Sequence, residues 1–463
     1  MLHLKMLIKG TPNQTKGSEM KNGEQLNRRG FLRRAGKIAA GAVAFPYIIP
    51  SSALGLNDAT APSNRITIGS IATGGQARGV LGGAMQQKDT HALAVCDVNK
   101  QNLAKGKTMV DRFYRNKDCA TYHDFRELLA RDDIDAVIIA PPDHWHAIHS
   151  VTAANAGKDI YCEKPLTHDL AEGRAVVDAV TRNGVVFQTG SMQRAGYQFK
   201  QACELVRNGY IGKIHHINVG LPDGGNSQLV RKYPAVPEYL DYDFYVGPAP
   251  WIPYHPARLD WNWRWWMGFG GSQMMDWIGH HGDIAHMAMD WDHTGPTEIE
   301  PVLWKLPQKS NLYDAPHEYE FTSKYAGGVT MTVASMQRMP EVYRQCGDTG
   351  TQWFGEDGQW IFVSRGGMKC NPGNLADIKL GGNDFRFRKE RNHMRDWLDC
   401  VKTRKQPLAH VEAGHRSASI GHLGKIACTL GQTLQWNPKT ETFTNNAMAN
   451  NMLSRPYRGE WTL

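Results

Sequence analysis

Cysteine is sparse and unpatterned in this chain of 463 residues. The eight cysteines, Cys96, Cys119, Cys162, Cys203, Cys346, Cys370, Cys400 and Cys428, include no Cys-x-x-Cys pair. Neither a zinc site nor a disulfide framework is indicated, and they read as buried thiols. Net charge is scarce outside the N-terminus. Of the formal charge of +8, residues 1–50 hold +7, from nine Lys/Arg and two Glu. The nearly neutral remainder removes the electrostatic basis for binding nucleic acid. Long apolar runs are missing as well: the run from Ile38 to Ile49 has 12 residues, whereas a bilayer span needs about 20. No integral membrane segment is therefore expected in the mature chain. Internal repeats and low-complexity tracts are absent too. What remains is a globular composition, 41% hydrophobic and 21% charged, in a length sufficient for two domains.

The basic start reads as a targeting segment. Asn27-Arg28-Arg29-Gly30-Phe31-Leu32-Arg33 sets two arginines ahead of an apolar pair, and Ser51-Ser52-Ala53 supplies small residues for a signal peptidase. This pattern is similar to a twin-arginine signal. It predicts a leader over residues 1–53, passage through the twin-arginine export machinery and a periplasmic or other extracytoplasmic destination. The alternative is an amphipathic extension on a cytoplasmic protein. A polar linker, residues 54–63, comes next.

Residues 64–190 alternate strand and helix signals, as a parallel sheet requires. A short strand, Arg65 to Ala72, runs into Thr73-Gly74-Gly75-Gln76-Ala77-Arg78-Gly79. Such a turn lets backbone N–H groups and a helix N-terminus face a pyrophosphate. Of the three glycines of the dinucleotide fingerprint only Gly74 is present, with alanine at positions 72 and 77. A second strand, Ala92 to Cys96, ends in Asp97, where an acid holds adenine-ribose hydroxyls and favours NAD over NADP. A helix over Asp124 to Ala130 and a strand over Ala136 to Ala140 lead to Pro141-Pro142-Asp143-His144-Trp145-His146. A helix from about His146 to Gly157 is succeeded by a strand, Asp159 to Cys162, that delivers Glu163-Lys164-Pro165. A lysine at the carboxyl end of a parallel strand stands where ligands bind in open α/β sheets. A plain Glu-Lys surface pair before a helix is the alternative.

The second half shows helical spacing at Arg194 to Asn208 and Asn392 to Lys402. Period-two alternation marks strands at His317 to Phe321, Gly328 to Val333 and Gln359 to Val363. Its richest chemical stretch is Gly270 to Asp283. A helix there sets Asp276, His280 and Asp283 on one face, where a carboxylate one turn away fixes the imidazole tautomer and favours its protonated form. A buried histidine satisfied by its neighbour, or a metal site from His280, His281, Asp283 and His286, are the other readings. Trp251, Trp261, Trp263, Trp265, Trp266 and Trp277 crowd the same region. They suit either the core or a platform for a sugar ring.

Taken together, Ile68 through Pro165 resembles the nucleotide-binding half of the glucose-fructose oxidoreductase, inositol dehydrogenase and rhizopine-catabolism (Gfo/Idh/MocA) family. Glu163-Lys164-Pro165 and Pro141 to His146 match its most specific motifs, and Asp276 and His280 match the Asp-x-x-x-His pair of its substrate domain. The resemblance implies an N-terminal Rossmann domain over 64–190 and, over 191–463, an α+β domain with a large, mostly antiparallel open sheet used for oligomerisation. It implies NAD held by Ala72, Thr73, Gly74, Gly75, Gln76, Asp97, Pro141, His144, His146, Glu163 and Lys164. A carbohydrate substrate would be met by Lys164, Gln193, Trp266, Asp276 and His280, with no metal. In the implied oxidation His280 takes the hydroxyl proton, Lys164 holds that oxygen and Asp276 orients His280. The activity implied is hydride transfer at a secondary hydroxyl of a sugar, cyclitol or glycoside. The alternative is a glycosidase or lyase that works through transient ring oxidation, disfavoured by the lack of a Tyr-rich signature.

Overall fold

The computed structural model describes residues 60–463 except 227–231, 309–310, 342, 344–348, 390–391 and 445. The expected leader, most of the linker and Cys346 lie outside the described residues.

The first sheet has six strands: β1 (Ile66–Ile71), β2 (Thr90–Cys96), β3 (Ala120–Tyr122), β4 (Ala136–Ile139), β5 (Asp159–Cys162) and β6 (Phe187–Thr189). They pair in the order β3-β2-β1-β4-β5-β6, every pair parallel. Alternate residues feed two separate cores. Ile66, Ile68, Ala136 and Ile138 pack with the helix Gly75–Met85, while Ile71, Val137, Ile139 and Ile160 pack with helices His146–Asn155 and Leu170–Asn183. Burial on both faces is why β4 and β5 are buried at every position. Strand order reverses between β1 and β4, and ligands bind outside the carboxyl ends of the strands at such a switch point.

The second sheet has nine strands: β7 (His216–Leu221), β8 (Glu298–Lys305), β9 (Glu318–Lys324), β10 (Thr330–Ser335), β11 (Gly350–Phe354), β12 (Trp360–Ser364), β13 (Gly367–Asn371), β14 (Leu434–Asn437) and β15 (Thr442–Phe443). Their order is β13-β12-β11-β7-β10-β9-β8-β14-β15, antiparallel except for β7 with β10. One face, with Tyr319, Phe321, Met331 and Val333, packs against helices Tyr197–Arg207, Asp283–Met289 and Val411–Leu430. Among the described residues no helix is long and apolar enough to cross a membrane, and the seven described cysteines are free.

Three features depart from expectation. β3 has only three residues, none fully buried, and so carries no periodic signal. Helix Val411–Leu430 is buried nearly all round, so it has no apolar stripe to reveal it. Helix His393–Thr403, assigned from sequence to the second domain, packs Trp397, Leu398, Cys400 and Val401 into the core that holds Ile66 and Ile68. Apolar spacing identifies a helix but not the sheet it covers.

Arg194, 2% exposed, ties this second half together. It donates to Asp283 (Nε to Oδ2 2.7 Å, Nη2 to Oδ1 2.8 Å) and to both carboxylate oxygens of Asp292 (2.7 Å each). Arg194→Met strands two carboxylates without their cation and should cost about 3–5 kcal/mol. Urea unfolding at unchanged m-value measures it, and a loss below about 1 kcal/mol would refute this role.

Candidate active site

The carboxyl ends of β1, β2, β4 and β5 open on a cavity of about 670 Å³, within the range of small-molecule sites. From β1, Ala72 adopts φ +73°, the left-handed region that favours glycine. Gly74 then caps the helix Gly75–Met85 with no side-chain bond and no acid in the first turn. A Cβ on Gly74 or Gly75 would meet nothing within 4 Å. The helix start is thus uncrowded, and Ala72, Gly74, Gly75 and Gln76 all line the cavity, where the first-turn N–H groups of a helix are left without intrahelical partners.

Asp97, at the end of β2, lines it too. Its Oδ2 accepts from Thr73 N (2.8 Å) and Thr73 Oγ1 (2.9 Å), and its Oδ1 accepts from Asn99 N (2.8 Å). The carboxylate thus fastens the glycine turn to β2 and keeps about one of four lone-pair directions for a ribose hydroxyl. Thr73, expected at the cofactor, is buried behind the turn with both donors spent on Asp97. The donor set fits a dinucleotide: helix N–H groups for the pyrophosphate and one acid for the ribose.

From β4 and β5 come Pro141, His146, Glu163 and Lys164. The His146 ring nitrogens lie 2.8 Å from Pro165 O and 3.0 Å from Pro141 O. Burial outweighs these contacts and lowers its pKa to about 4, so the neutral ring braces one strand end against the next. Glu163 accepts from Gln76 Nε2 (3.0 Å), and a Cβ at position 190 would come within 2.9 Å of the Glu163 carboxylate. His144, expected beside the cofactor, does not line the cavity. It is fully buried between Tyr245 O (3.1 Å) and Phe269 O (3.4 Å), and burial holds it neutral.

The other end of the cavity is built from the second domain. Lys164 Nζ reaches Asp276 Oδ1 (2.6 Å) and donates to Asp276 O (3.0 Å). Arg264 Nε lies 3.1 Å from Asp276 Oδ2, and its guanidinium sits 4.0 Å from the Trp261 ring and 4.4 Å from that of Trp263. Burial disfavours a charge on Asp276, yet the Lys164 and Arg264 cations outweigh it and keep the carboxyl below its usual range.

The expected continuous helix is broken. Helix Ser272–Trp277 passes into a wide π turn, Ile278–Gly282, before helix Asp283–Met289. A π turn holds more residues than an α turn, so it shifts later side chains around the helix axis. Asp276 and His280 therefore share no hydrogen bond among the described residues, which corrects the role of Asp276 in orienting His280. The protonated state expected for His280 is corrected as well. Burial, then the charges of Lys164 and Arg365, hold its pKa well below the ordinary value. His280 lines the cavity, and its Nδ1 is buried without a hydrogen-bond partner among the described residues. Neutral imidazole is the form that accepts a proton. The other candidate metal ligands diverge: Asp283 pairs with Arg194, His281 Nε2 meets Thr349 Oγ1 (3.1 Å) and His286 Nε2 meets Tyr325 OH (2.8 Å).

Two substrate candidates stand outside the cavity. Trp266 is buried, donating to Ala257 O (3.1 Å) with Arg258 over its ring at 4.0 Å. Trp261, Trp263 and Trp277 line the cavity instead. Gln193 is buried, its amide oriented so that Nε2 donates to His280 O (3.1 Å) and Oε1 accepts from Arg365 Nε (3.2 Å). Sequence reasoning missed Arg264, Arg365 and Asp143. A cation amid four tryptophans marks the first, and Asp143, whose carboxyl burial raises well above its usual range, lies inside a recognised motif. Nothing local marks Arg365.

The nucleotide half is covered. Tyr239 O accepts from Lys100 N (2.8 Å) and Asp241 N donates to Val98 O (3.1 Å), which lays Leu240, Phe244 and Tyr245 along the cavity wall. The chain end latches this segment. Arg458 bonds to Asp243 Oδ1 (2.8 Å), Asp243 O (2.8 Å) and Gly247 O (3.0 Å), and Trp461 stacks on Phe244 (5.5 Å, 25°).

Residues 68–191 match an oxidoreductase family with an NAD-binding Rossmann fold, and residues 190–351 and 369–463 match its C-terminal alpha/beta domain. The inositol 2-dehydrogenase of Rhodococcus erythropolis is 33% identical over 118 residues, 24% of this chain and 34% of that protein. The alpha-N-acetylgalactosaminidase of Shewanella oneidensis is 26% identical over 209 residues, 41% of this chain and 45% of that protein. The chain spans about a third to a half of the length of the curated relatives it matches. In fold it is similar to the WlbA dehydrogenase from Bordetella pertussis in complex with NADH and UDP-GlcNAcA, with a TM-score of 0.59 at 14% identity over 81% of this chain and 99% of that one. Because the match runs through both domains and most of the described residues, the chain belongs to the Gfo/Idh/MocA family of NAD-binding oxidoreductases.

Proposed function

We propose that this protein transfers hydride between a secondary hydroxyl or ketone of a sugar, cyclitol or glycoside and a tightly held NAD, outside the cytoplasm. The observation that carries this reading is the convergence of Lys164 and His280, from different domains, on the cavity that also receives the glycine turn. NAD, when bound, supplies the hydride acceptor. His280, neutral and lining the cavity, takes the proton of the substrate hydroxyl. The Lys164 ammonium, aimed by Asp276, stabilises the negative charge that develops on that oxygen.

Retention of NAD is supported by the latched segment over the nucleotide half. Export is supported by Arg28-Arg29 and the apolar run after them: free NAD is scarce outside the cytoplasm, and twin-arginine export carries folded proteins. Assembly of several copies would cover Val302 and Leu306, exposed on and after β8. A second reading, glycoside cleavage through transient oxidation, is favoured by the longer stretch matched to the galactosaminidase than to the inositol dehydrogenase.

A panel of glycosides, followed for both keto-sugar and released aglycone, separates the two readings. Keto-sugar without aglycone is the expected outcome. His280→Ala should then lower kcat about 10²–10⁴-fold while NAD stays bound. An unchanged kcat would remove His280 from the chemistry.

A depressed His280 pKa fixes the sign of the pH dependence. The ring stays unprotonated as pH falls through the ordinary value near 6.5, and activity is lost only as pH falls through the lower folded value. The kcat/KM profile for oxidation should thus be flat through pH 6.5, with its acidic limb below. A limb at 6.5 would contradict the buried, cation-flanked environment.

Cofactor content tests retention. The full chain, purified and dialysed exhaustively, should release roughly one NAD per chain on denaturation, as expected when dissociation is far slower than dialysis. An empty protein that binds added NAD weakly and reversibly would show that the cofactor is exchanged.

A further inference from the structure

Two of the three cations at the substrate end share one anion, Asp276, while the third has none among the described residues. Arg365 occupies the two-residue turn between β12 and β13, where Ser364 Oγ accepts from Gly366 N (3.1 Å) and Arg365 O accepts from Gln198 Nε2 (3.4 Å). Although the residue is exposed at the turn, its side chain lines the cavity, with the guanidinium 4.6 Å from the centre of the Trp277 ring. His281 also stacks on Trp277 (5.5 Å, 20°), so the indole supports Arg365 rather than offering a free face to a sugar. Arg365 Nε donates to Gln193 Oε1, and the same amide donates to the backbone carbonyl of His280. One side chain therefore couples the position of the guanidinium to that of the proton acceptor. No carboxylate of the described residues pairs with Arg365, unlike Arg264, Arg194, Arg174 and Arg455.

A guanidinium held by Nε alone keeps its two terminal amino groups for another acceptor, and their fork matches a planar carboxylate at two points. Lys164 and Arg264 are less suited to that role, because the Asp276 carboxylate already balances their charge. We propose that Arg365 receives a carboxylate carried by the substrate, so that the sugars oxidised at this site are acidic, of the uronic acid class. The inference rests on the reading of this cavity as a carbohydrate site, and it adds a second anchor that sets which carbon faces His280. A sugar gripped at its carboxylate by Arg365 presents one edge of the ring to the proton acceptor.

The test uses the full NAD-loaded chain and matched pairs of methyl uronosides and methyl hexosides of gluco, galacto and manno configuration. Affinity is read from tryptophan fluorescence and turnover from keto-sugar formation. For at least one pair the uronoside should bind roughly 10- to 100-fold more tightly than its hexoside, the usual range for a charged hydrogen-bonded contact. Arg365→Gln should abolish that ratio, and Arg365→Lys should restore only part of it, since a point charge lacks the fork. Equal affinities in all three pairs, or a preference that survives Arg365→Gln, would overturn the inference. So would a stronger preference for the corresponding 6-sulfated hexosides, since their tetrahedral anion is not the planar partner inferred. Because binding is read independently of turnover, Arg365-dependent binding without keto-sugar upholds the acidic-substrate site while the hydride reading fails. Oxidation of both sugars with equal affinity does the reverse.

Discussion

A carboxylate buried between two cations holds the domains in register at the chemistry. Asp276 comes from a helix of the second domain, Lys164 from the end of β5 and Arg264 from the Trp-rich turn, and the cluster is shielded from water. Desolvating one carboxylate and one ammonium costs several kcal/mol, and this is offset only when geometry is good and remaining lone pairs are filled. The second cation and the Asp276 carbonyl supply that completion. Close approach is also required of the backbone: a Cβ at Gly279 would come within 3.0 Å of the Lys164 Cβ. Lys164 is therefore fixed in position, and its charge lowers the basicity of the His280 ring.

The π turn is the second constraint, and it explains where sequence reasoning failed. Regular helical spacing sets Asp276 and His280 on one face, and the inference from spacing to pairing was sound for a regular helix. The wide turn Ile278–Gly282 separates them. It frees the carboxylate for Lys164 and Arg264 and leaves the imidazole to the cavity. Wide turns inside helices recur at functional sites because they aim side chains that regular spacing would waste. No residue in Ile278-Gly279-His280-His281-Gly282 announces one, although two glycines lower the resistance to it.

Legibility tracked sequence distance. The strand-end motifs, Gly74-Gly75, Asp97, Pro141 to His146 and Glu163-Lys164, were readable because each is made within a few residues by a strand, a turn and a helix start. The position of Arg365 beside Trp277 and Gln193, and that of helix His393–Thr403 on the first sheet, depend on contacts between residues far apart in the chain. Helix Val411–Leu430 was invisible for a different reason: with nearly every side buried, its pattern has no polar face to contrast with an apolar one. Thr73 and His144 stood inside recognised motifs, but their polar atoms had been claimed by Asp97, Tyr245 and Phe269. A motif names the neighbourhood, and the hydrogen bonds already made decide which members face the ligand.

Residues 455–461 pin the wall over the nucleotide half. Arg455 lies 3.0 Å from Asp169 Oδ2 and 3.1 Å from Glu172 Oε1, and Tyr457 donates to the same Glu172 oxygen (2.9 Å), all against a buried helix start. Arg458 and Trp461 then grip the segment that carries Phe244 and Tyr245. Lifting that segment off the cavity means breaking exposed contacts at Arg458 and unstacking Trp461, while releasing Arg455 would also take a cation from the buried Asp169 and Glu172, leaving Asp169 with Lys425 at 3.7 Å. A wall pinned in this way supports the proposed retention of the cofactor, under which hydride taken from one substrate leaves with another or returns to the same one.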